Sequence, residues 1–185
     1  MKVQDLSLYR CPKNFRGRNV FVVQTWWFVQ AVFFNLSPQF MYGWRRFLLR
    51  LFGARIGTGV ILRPSVKVTY PWKVRIGDRS WLGDDVVLYS LGEIEIGADT
   101  VISQKCYLSA GSHKYNKTAF PIYSEKISIE DECWLATDVF VACGITVGKG
   151  TVVGARSSIF SNLPAGKVCY GSPAKVIRDR SNDDL

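Results

Sequence analysis

The sequence predicts an all-β solenoid built of triangular coils, preceded by a helical segment. Two observations carry that expectation. The first is a six-residue period: from Ile76 the chain reads IGDRSW LGDDVV LYSLGE, from Ile96 IGADTV ISQKCY LSAGSH, from Ile129 IEDECW LATDVF VACGIT, and from Val147 VGKGTV VGARSS IFSNLP. The second is a change of character near residue 55. Residues 1–55 hold nine Lys/Arg and one acid, Asp5, whereas residues 56–185 hold fifteen Lys/Arg and fourteen acids.

The N-terminal segment, residues 1–55, is aromatic, basic and expected to be mostly helical. Thirteen of the seventeen residues in VFVVQTWWFVQAVFFNL (20–36) are apolar. The following PQFMYGWRRFLLRLFG reads as a basic amphipathic helix with Pro38 in its first turn and Gly53 at its end. Gln24, Thr25, Gln30 and Asn35 interrupt the apolar run, and a spanning helix needs about 20 apolar residues. Two placements fit: a cap over the open end of the solenoid, or a helix in the membrane interface with Arg45, Arg46 and Arg50 facing anionic lipid.

The solenoid is expected over 56–164. Three short strands make one 18-residue coil, with the first and fifth residues of each six pointing inward. Gly at the second place is read as the residue that lets the chain bend at a corner. The step from Ile96 to Ile129 is 33 residues, 15 more than one coil; the insertion begins at Lys114, directly after His113, and its loop is placed at 114–126. A long excursion from a regular solenoid is usually functional. Residues 165–185 form a C-terminal tail.

Composition narrows the function classes. At 185 residues, with 48% hydrophobic and 21% charged residues, the chain can bury a core without staples. The excess positive charge lies outside the main domain, which argues against nucleic-acid binding. Five cysteines without a CxxC pair suggest free thiols, a reducing and cytoplasmic setting, and no zinc. Cys106 and Cys133 fall on inward places, and Cys143 at a corner. No signal peptide opens the sequence. His113 is the only histidine; as the sixth residue of its row it points outward, at the lip of the inserted loop, where it could take a proton at neutral pH. A single histidine argues against a zinc lyase, which needs several around one ion. A non-catalytic, membrane-associated scaffold remains the alternative from another class.

The six-residue rows, the GSH before the loop and the closing run WLATDVFVACGITVGKGTVVGARSSIF…LPAGKVCYGSPAKVIR resemble the left-handed β-helix O-acetyltransferases. Among them the chain is most similar to the colanic acid biosynthesis acetyltransferases, through WRRFLLRLFGARIG, RPSVKVTYPWKVRIGD, GDDVVLYSLGEIEIGA and VISQKCYLSAGSH. The resemblance implies a left-handed parallel β-helix and a homotrimer with active sites between subunits. It also implies acetyl-CoA as donor, no metal, and a sugar or lipid-linked oligosaccharide hydroxyl as acceptor. On it, His113 matches the catalytic general base and Trp134 the residue beside the acceptor. Ala136, Thr137 and Ala155 match contacts to the pantetheine arm, and Lys175 and Arg178 in the tail match basic residues near the CoA phosphates. Asp84 and Asp85 are the candidates for contacts to sugar hydroxyls. An acetyltransferase with a non-sugar acceptor is the nearer alternative, and a peripheral inner-membrane contact is compatible with all of these. Phe160-Ser161-Asn162 departs from the T-K-D of many relatives, and Cys143 replaces the usual corner proline.

Overall fold

The computed structural model describes residues 2–181. Its centre is a parallel β-solenoid with three faces. The first face stacks Arg55–Ile56, Val74–Ile76, Ile94–Ile96, Ile127–Ile129 and Thr146–Val147. The second stacks Ile61–Leu62, Trp81–Leu82, Val101–Ile102, Trp134–Leu135, Val152–Val153 and Lys167–Gly171, and ends on Ala174–Asp179. The third stacks Lys67–Val68, Val87–Tyr89, Tyr107–Ser109, Phe140–Val141 and Ser158–Ile159. All neighbours are parallel except the last hairpin, in which Ala174–Asp179 returns antiparallel on Lys167–Gly171. The expected tail is thus continuous with the solenoid and closes its second face.

The first-and-fifth rule holds along the coils. Ile96, Thr100, Ile102, Cys106 and Leu108 are buried in one coil, as are Ile129, Cys133, Leu135, Val139 and Val141 in the next. Stacking these rows gives one continuous apolar core, in which each coil is covered by its neighbours. The buried Cys106 and Cys133 thiols donate to carbonyls of the next coil, and burial pushes both up to about 11.

The second-place glycines have a different reason from the one expected. Gly97 and Gly148 have ordinary φ, but a Cβ on either would stand 2.5 Å from a backbone nitrogen of the following coil, Asp131 and Ala165 respectively. They are excluded from carrying a side chain by coil-on-coil contact. The corner itself is turned at the fourth place, where Arg79, Asp85, Asp99, Lys105, Glu132, Asp138 and Arg156 all take left-handed φ between 53° and 62°.

The N-terminal segment caps the open end. Helix α1 (Val20–Val29) starts at Asn19, whose side chain accepts from the Val22 N–H, and continues as a π-helical turn to Phe34. Helix α2 (Tyr42–Leu51) begins later than the sequence suggested. Residues 37–41 first wrap the Arg45 guanidinium, which donates to the Ser37 hydroxyl and to the Pro38 and Gln39 carbonyls, so Pro38 precedes the helix. Gly53, at φ +92°, ends it as expected.

Within the solenoid each coil donates its N–H groups to carbonyls of the following coil, for example Gly57 to Ile76 and Ile61 to Ser80. The first coil's own carbonyls therefore have no coil beneath them. Side chains of the cap fill that role: Arg50 donates to Ile56 and Gly57, Arg46 to Val60, Arg45 to Leu62, Trp26 to Val68 and Trp27 to Thr69. The three arginines considered for a lipid-facing role are turned inward onto these carbonyls, and Arg45 is fully buried. An unsatisfied buried carbonyl is costly, and charged donors make the stronger hydrogen bonds. No helix among the described residues is long and apolar enough to cross a membrane.

Candidate active site

His113 does not sit on the solenoid proper. The coil leaves its path at Gly111, where a side chain would collide with Leu91, and Gly111–His113 pairs antiparallel with Ile122–Ser124 as a β-hairpin. The expected loop at 114–126 therefore begins three residues earlier, and Ser112, at a nominally inward place, is exposed. His113 is the last residue of the hairpin's first strand, partly buried and opposite Ile122.

Two contacts fix its imidazole. Nδ1 lies 2.9 Å from the Phe120 carbonyl, and the Phe120 ring stacks on the imidazole with centroids 4.3 Å apart and planes 8° from parallel. A carbonyl oxygen only accepts, so Nδ1 carries a proton and donates it; in the neutral ring the lone pair is then on Nε2. Nε2 has no hydrogen-bond partner among the described residues. The hairpin tip is held in turn by the N-terminal strap, whose Asp5 N–H donates to the Thr118 carbonyl over 2.7 Å. The Tyr9 ring on that strap lies 6.2 Å from His113. An open groove of about 430 Å³ borders the imidazole, lined by Tyr115, Asn116, Tyr123 and Glu125.

The other candidates lie elsewhere. Trp134 stands outward in the middle of the second face, about half exposed, with Nε1 donating to Ser103 Oγ over 3.0 Å. Its row along that face runs Ile61, Trp81, Val101, Trp134, Val152, Val168 and Arg178. Ala136, Thr137 and Ala155 follow at the adjoining corner, between second and third faces, with Asp84 and Asp85 at the same corner nearer the cap. Lys175 and Arg178 are exposed on the final strand. Asp84, Asp85, Trp81, Gln104 and Lys105 border a groove of about 580 Å³. The two aspartates differ. Arg63 Nε donates to both Asp84 oxygens, at 3.1 and 3.0 Å, and holds that carboxyl below its usual range, with Ser65 adding a third bond. The Asp85 carboxylate has no partner among the described residues.

The structure thus brings Trp134, Asp84, Asp85, Ala136, Thr137, Ala155, Lys175 and Arg178 to one side and leaves His113 on the other. The hairpin leaves at the corner between third and first faces, which in a triangular prism is the vertex opposite the second face.

The comparisons agree on what such a chain is. No protein-family model matches it. It is 62% identical over 178 residues to a protein of Escherichia coli (strain K12) named as the colanic acid biosynthesis acetyltransferase WcaF, covering 96% of this chain and 98% of that one. The chain belongs to the WcaF family of hexapeptide-repeat acetyltransferases. Solved structures share its left-handed β-helix. The acetyltransferase VCA0836 from Vibrio cholerae, complexed with acetyl coenzyme A, superposes with a TM-score of 0.80 at 23% identity over 88% of each chain. A galactoside acetyltransferase in complex with coenzyme A gives 0.80 at 21% identity, covering 92% of this chain and 84% of that one. Membership in the WcaF family makes the chain an acetyl-CoA-dependent acyltransferase.

The residues present suit that donor. Ala136 and Ala155 leave the corner backbone open to an extended pantetheine arm, and Lys175 and Arg178 offer exposed positive charge at the end of the same face. No group of three or more His, Cys, Asp or Glu side chains among the described residues could hold a metal. The departing Phe160-Ser161-Asn162 has structural work. Phe160 extends an aromatic row with Tyr107 and Phe140, at 6.2 and 5.8 Å between successive rings, and Asn162 Oδ1 accepts from the Thr146 N–H. Sequence reasoning missed Phe120, Tyr9 and Asp5 as the surroundings of His113 and its hairpin. Phe120 lay within the flagged loop, but nothing in the periodicity marks the strap.

Proposed function

We propose that the chain is an O-acetyltransferase that acetylates a sugar hydroxyl in exopolysaccharide biosynthesis of the colanic-acid type, with His113 as general base. The observation that carries this reading is the Phe120 carbonyl on His113 Nδ1, which directs the basic Nε2 into an open groove. Nε2 takes the proton of the acceptor hydroxyl as its oxygen attacks the thioester carbonyl of acetyl-CoA. The tetrahedral adduct collapses by breaking the C–S bond, and the imidazolium returns the proton to the departing CoA sulfur. The acetyl ester and CoA-SH account for every atom, and no acyl-enzyme is needed. Holding both reactants in line supplies much of the rate, and proton removal contributes about 10²–10⁴-fold.

A complete site in this reading needs His113 of one subunit and the Trp134 face of another, which favours a cyclic homotrimer with three intersubunit grooves. Trp134 packs beside the acceptor, and Asp85, whose carboxylate is open, is the better placed of the two aspartates to accept from sugar hydroxyls. Asp84 shapes the groove through Arg63. Ala136, Thr137 and Ala155 flank the pantetheine arm, and Lys175 and Arg178 meet the CoA phosphates. The N-terminal segment acts as a cap, the solenoid as the catalytic body and the closing hairpin as the phosphate end. The acceptor is a sugar or lipid-linked oligosaccharide met on the cytoplasmic side. A mass-spectrometric assay with acetyl-CoA and a panel of free, nucleotide-linked and lipid-linked saccharides tests the reading. It expects a product 42 Da heavier (an added acetyl in place of hydrogen, about 42 Da) that falls at least ~10²-fold with His113→Ala. Product formed undiminished by that variant would overturn His113 as base.

A further inference from the structure

We infer that the outer face of the N-terminal cap docks onto an anionic lipid bilayer. Helix α1 is apolar at eight of its ten positions, Gln24 and Thr25 excepted, a composition that belongs to helices covered on most sides. Here only one side is covered: Val23 and Trp26 are buried against the solenoid while Phe21 is 80% and Phe28 60% exposed. The same outward face continues through Phe33, Leu36, Phe40 (79% exposed), Phe47 and Leu51. The two helices share it. Phe28 meets Phe33 edge-on at 6.1 Å, Trp44 donates to the Phe33 carbonyl, and Trp44 stacks on Phe47 at 5.7 Å. Contiguous exposed apolar surface of this kind marks an interaction site.

Charge selects the occupant. No Asp or Glu occurs between Asp5 and Asp78, so both cap helices and the start of the solenoid are free of acid. Arg16, Arg18 and Arg55 are exposed beside the start of α1 and the end of α2. A second copy would bring the same positive charge against this face and be repelled, whereas anionic headgroups complement it. Aromatic rings flanked by basic side chains are the composition of helices lying in a membrane interface. Neither helix is long enough to span, so they lie flat.

The consequence rests on the acceptor reading above. His113 is in the third coil, and coils rise about 4.8 Å each; with a helix layer of about 10 Å beneath, the imidazole stands on the order of 20 Å above the lipid. That height suits a saccharide carried on a membrane lipid.

Flotation of the full chain with vesicles of phosphatidylglycerol and phosphatidylethanolamine tests the docking without any acetyl-transfer readout. Wild type and His113→Ala should float alike at low salt, and a Phe21→Ser/Phe28→Ser/Phe40→Ser variant should lose at least about tenfold in bound fraction while keeping its melting temperature. Arg16→Glu/Arg18→Glu, which leaves the apolar face intact, should weaken flotation as well. Wild type left unbound, or both multiple variants floating as well as wild type, would overturn the inference. So would a vesicle-free assembly of wild type through this face, seen by sedimentation and abolished in the Phe variant, since the occupant would then be a second copy.

Discussion

The His113 imidazole is clamped by Phe120 twice, through the carbonyl 2.9 Å from Nδ1 and through the ring stacked at 4.3 Å. The backbone of Phe120 takes a left-handed φ of 46°, rare for a large side chain, and this turn aims its carbonyl back at the imidazole. The clamp gives the only histidine one tautomer. Selective ¹⁵N labelling of histidine reads it directly, because the chain yields a single imidazole. In the neutral ring, Nδ1 should show the shift of a protonated nitrogen and Nε2 that of an unprotonated one; the opposite tautomer would remove the base from the groove.

Removing the stacked ring should loosen the clamp without deleting the base. Phe120→Ala is expected to lower kcat by about tenfold with KM for acetyl-CoA little changed, against the ~10²–10⁴-fold loss for His113→Ala. Equal losses in the two variants would mean that the loop has collapsed, which the ¹⁵N spectrum of Phe120→Ala would show.

The cap is an energetic component of the fold. Arg45 is buried and donates to Leu62, Ser37, Pro38 and Gln39. Arg45→Met keeps much of the volume but strands several acceptors, at about 1–3 kcal/mol for each one left buried. A loss of at least about 3 kcal/mol in urea unfolding is expected. Arg50→Met, at a more exposed position, should cost less.

The cysteines give a prediction with a definite sign. Cys11 is exposed and Cys143 partly buried, while Cys106, Cys133 and Cys169 are buried. Two thiols should react with a disulfide reagent in the native protein and five after unfolding. Burial holds the Cys106 and Cys133 thiols up to about 11, above the 9.0 of a solvent-exposed thiol in the unfolded chain. The unfolded state therefore releases its protons first as pH rises. The stability tied to these groups is complete below pH 9 and declines between about 9 and 11. Cys106→Ala/Cys133→Ala should flatten that decline in the unfolding free energy; an unchanged slope would count against it.

Much of this was legible because a solenoid writes its geometry locally. Ile96, Thr100, Ile102, Cys106 and Leu108 face inward for the same reason in every coil, so the period sufficed to place them. What the period could not carry is anything that departs from it. The hairpin opens at Gly111 rather than Lys114 because Gly111 must pass over Leu91, a contact 20 residues away in sequence. The role of the second-place glycines was misread because the constraint comes from the next coil and not from their own dihedrals. Arg45 looks like a surface residue of an amphipathic helix until the uncovered carbonyls of the first coil are in view. Tyr9 and Asp5 reach the His113 hairpin through irregular backbone more than a hundred residues away in the chain, with no pattern to announce it.

The central claim is that a working site combines His113 of one subunit with the Trp134 face of another, and mixed oligomers test it most directly. His113→Ala and Trp134→Ala/Asp85→Ala subunits, each nearly inactive alone, would be co-expressed with different tags and the doubly tagged species purified. If sites form between subunits, mixed oligomers regain about a third of wild-type activity, because a cyclic trimer holding both kinds of subunit has one intact interface of its three. Mixed oligomers no more active than their parents would contradict the account and return both halves of the site to a single subunit.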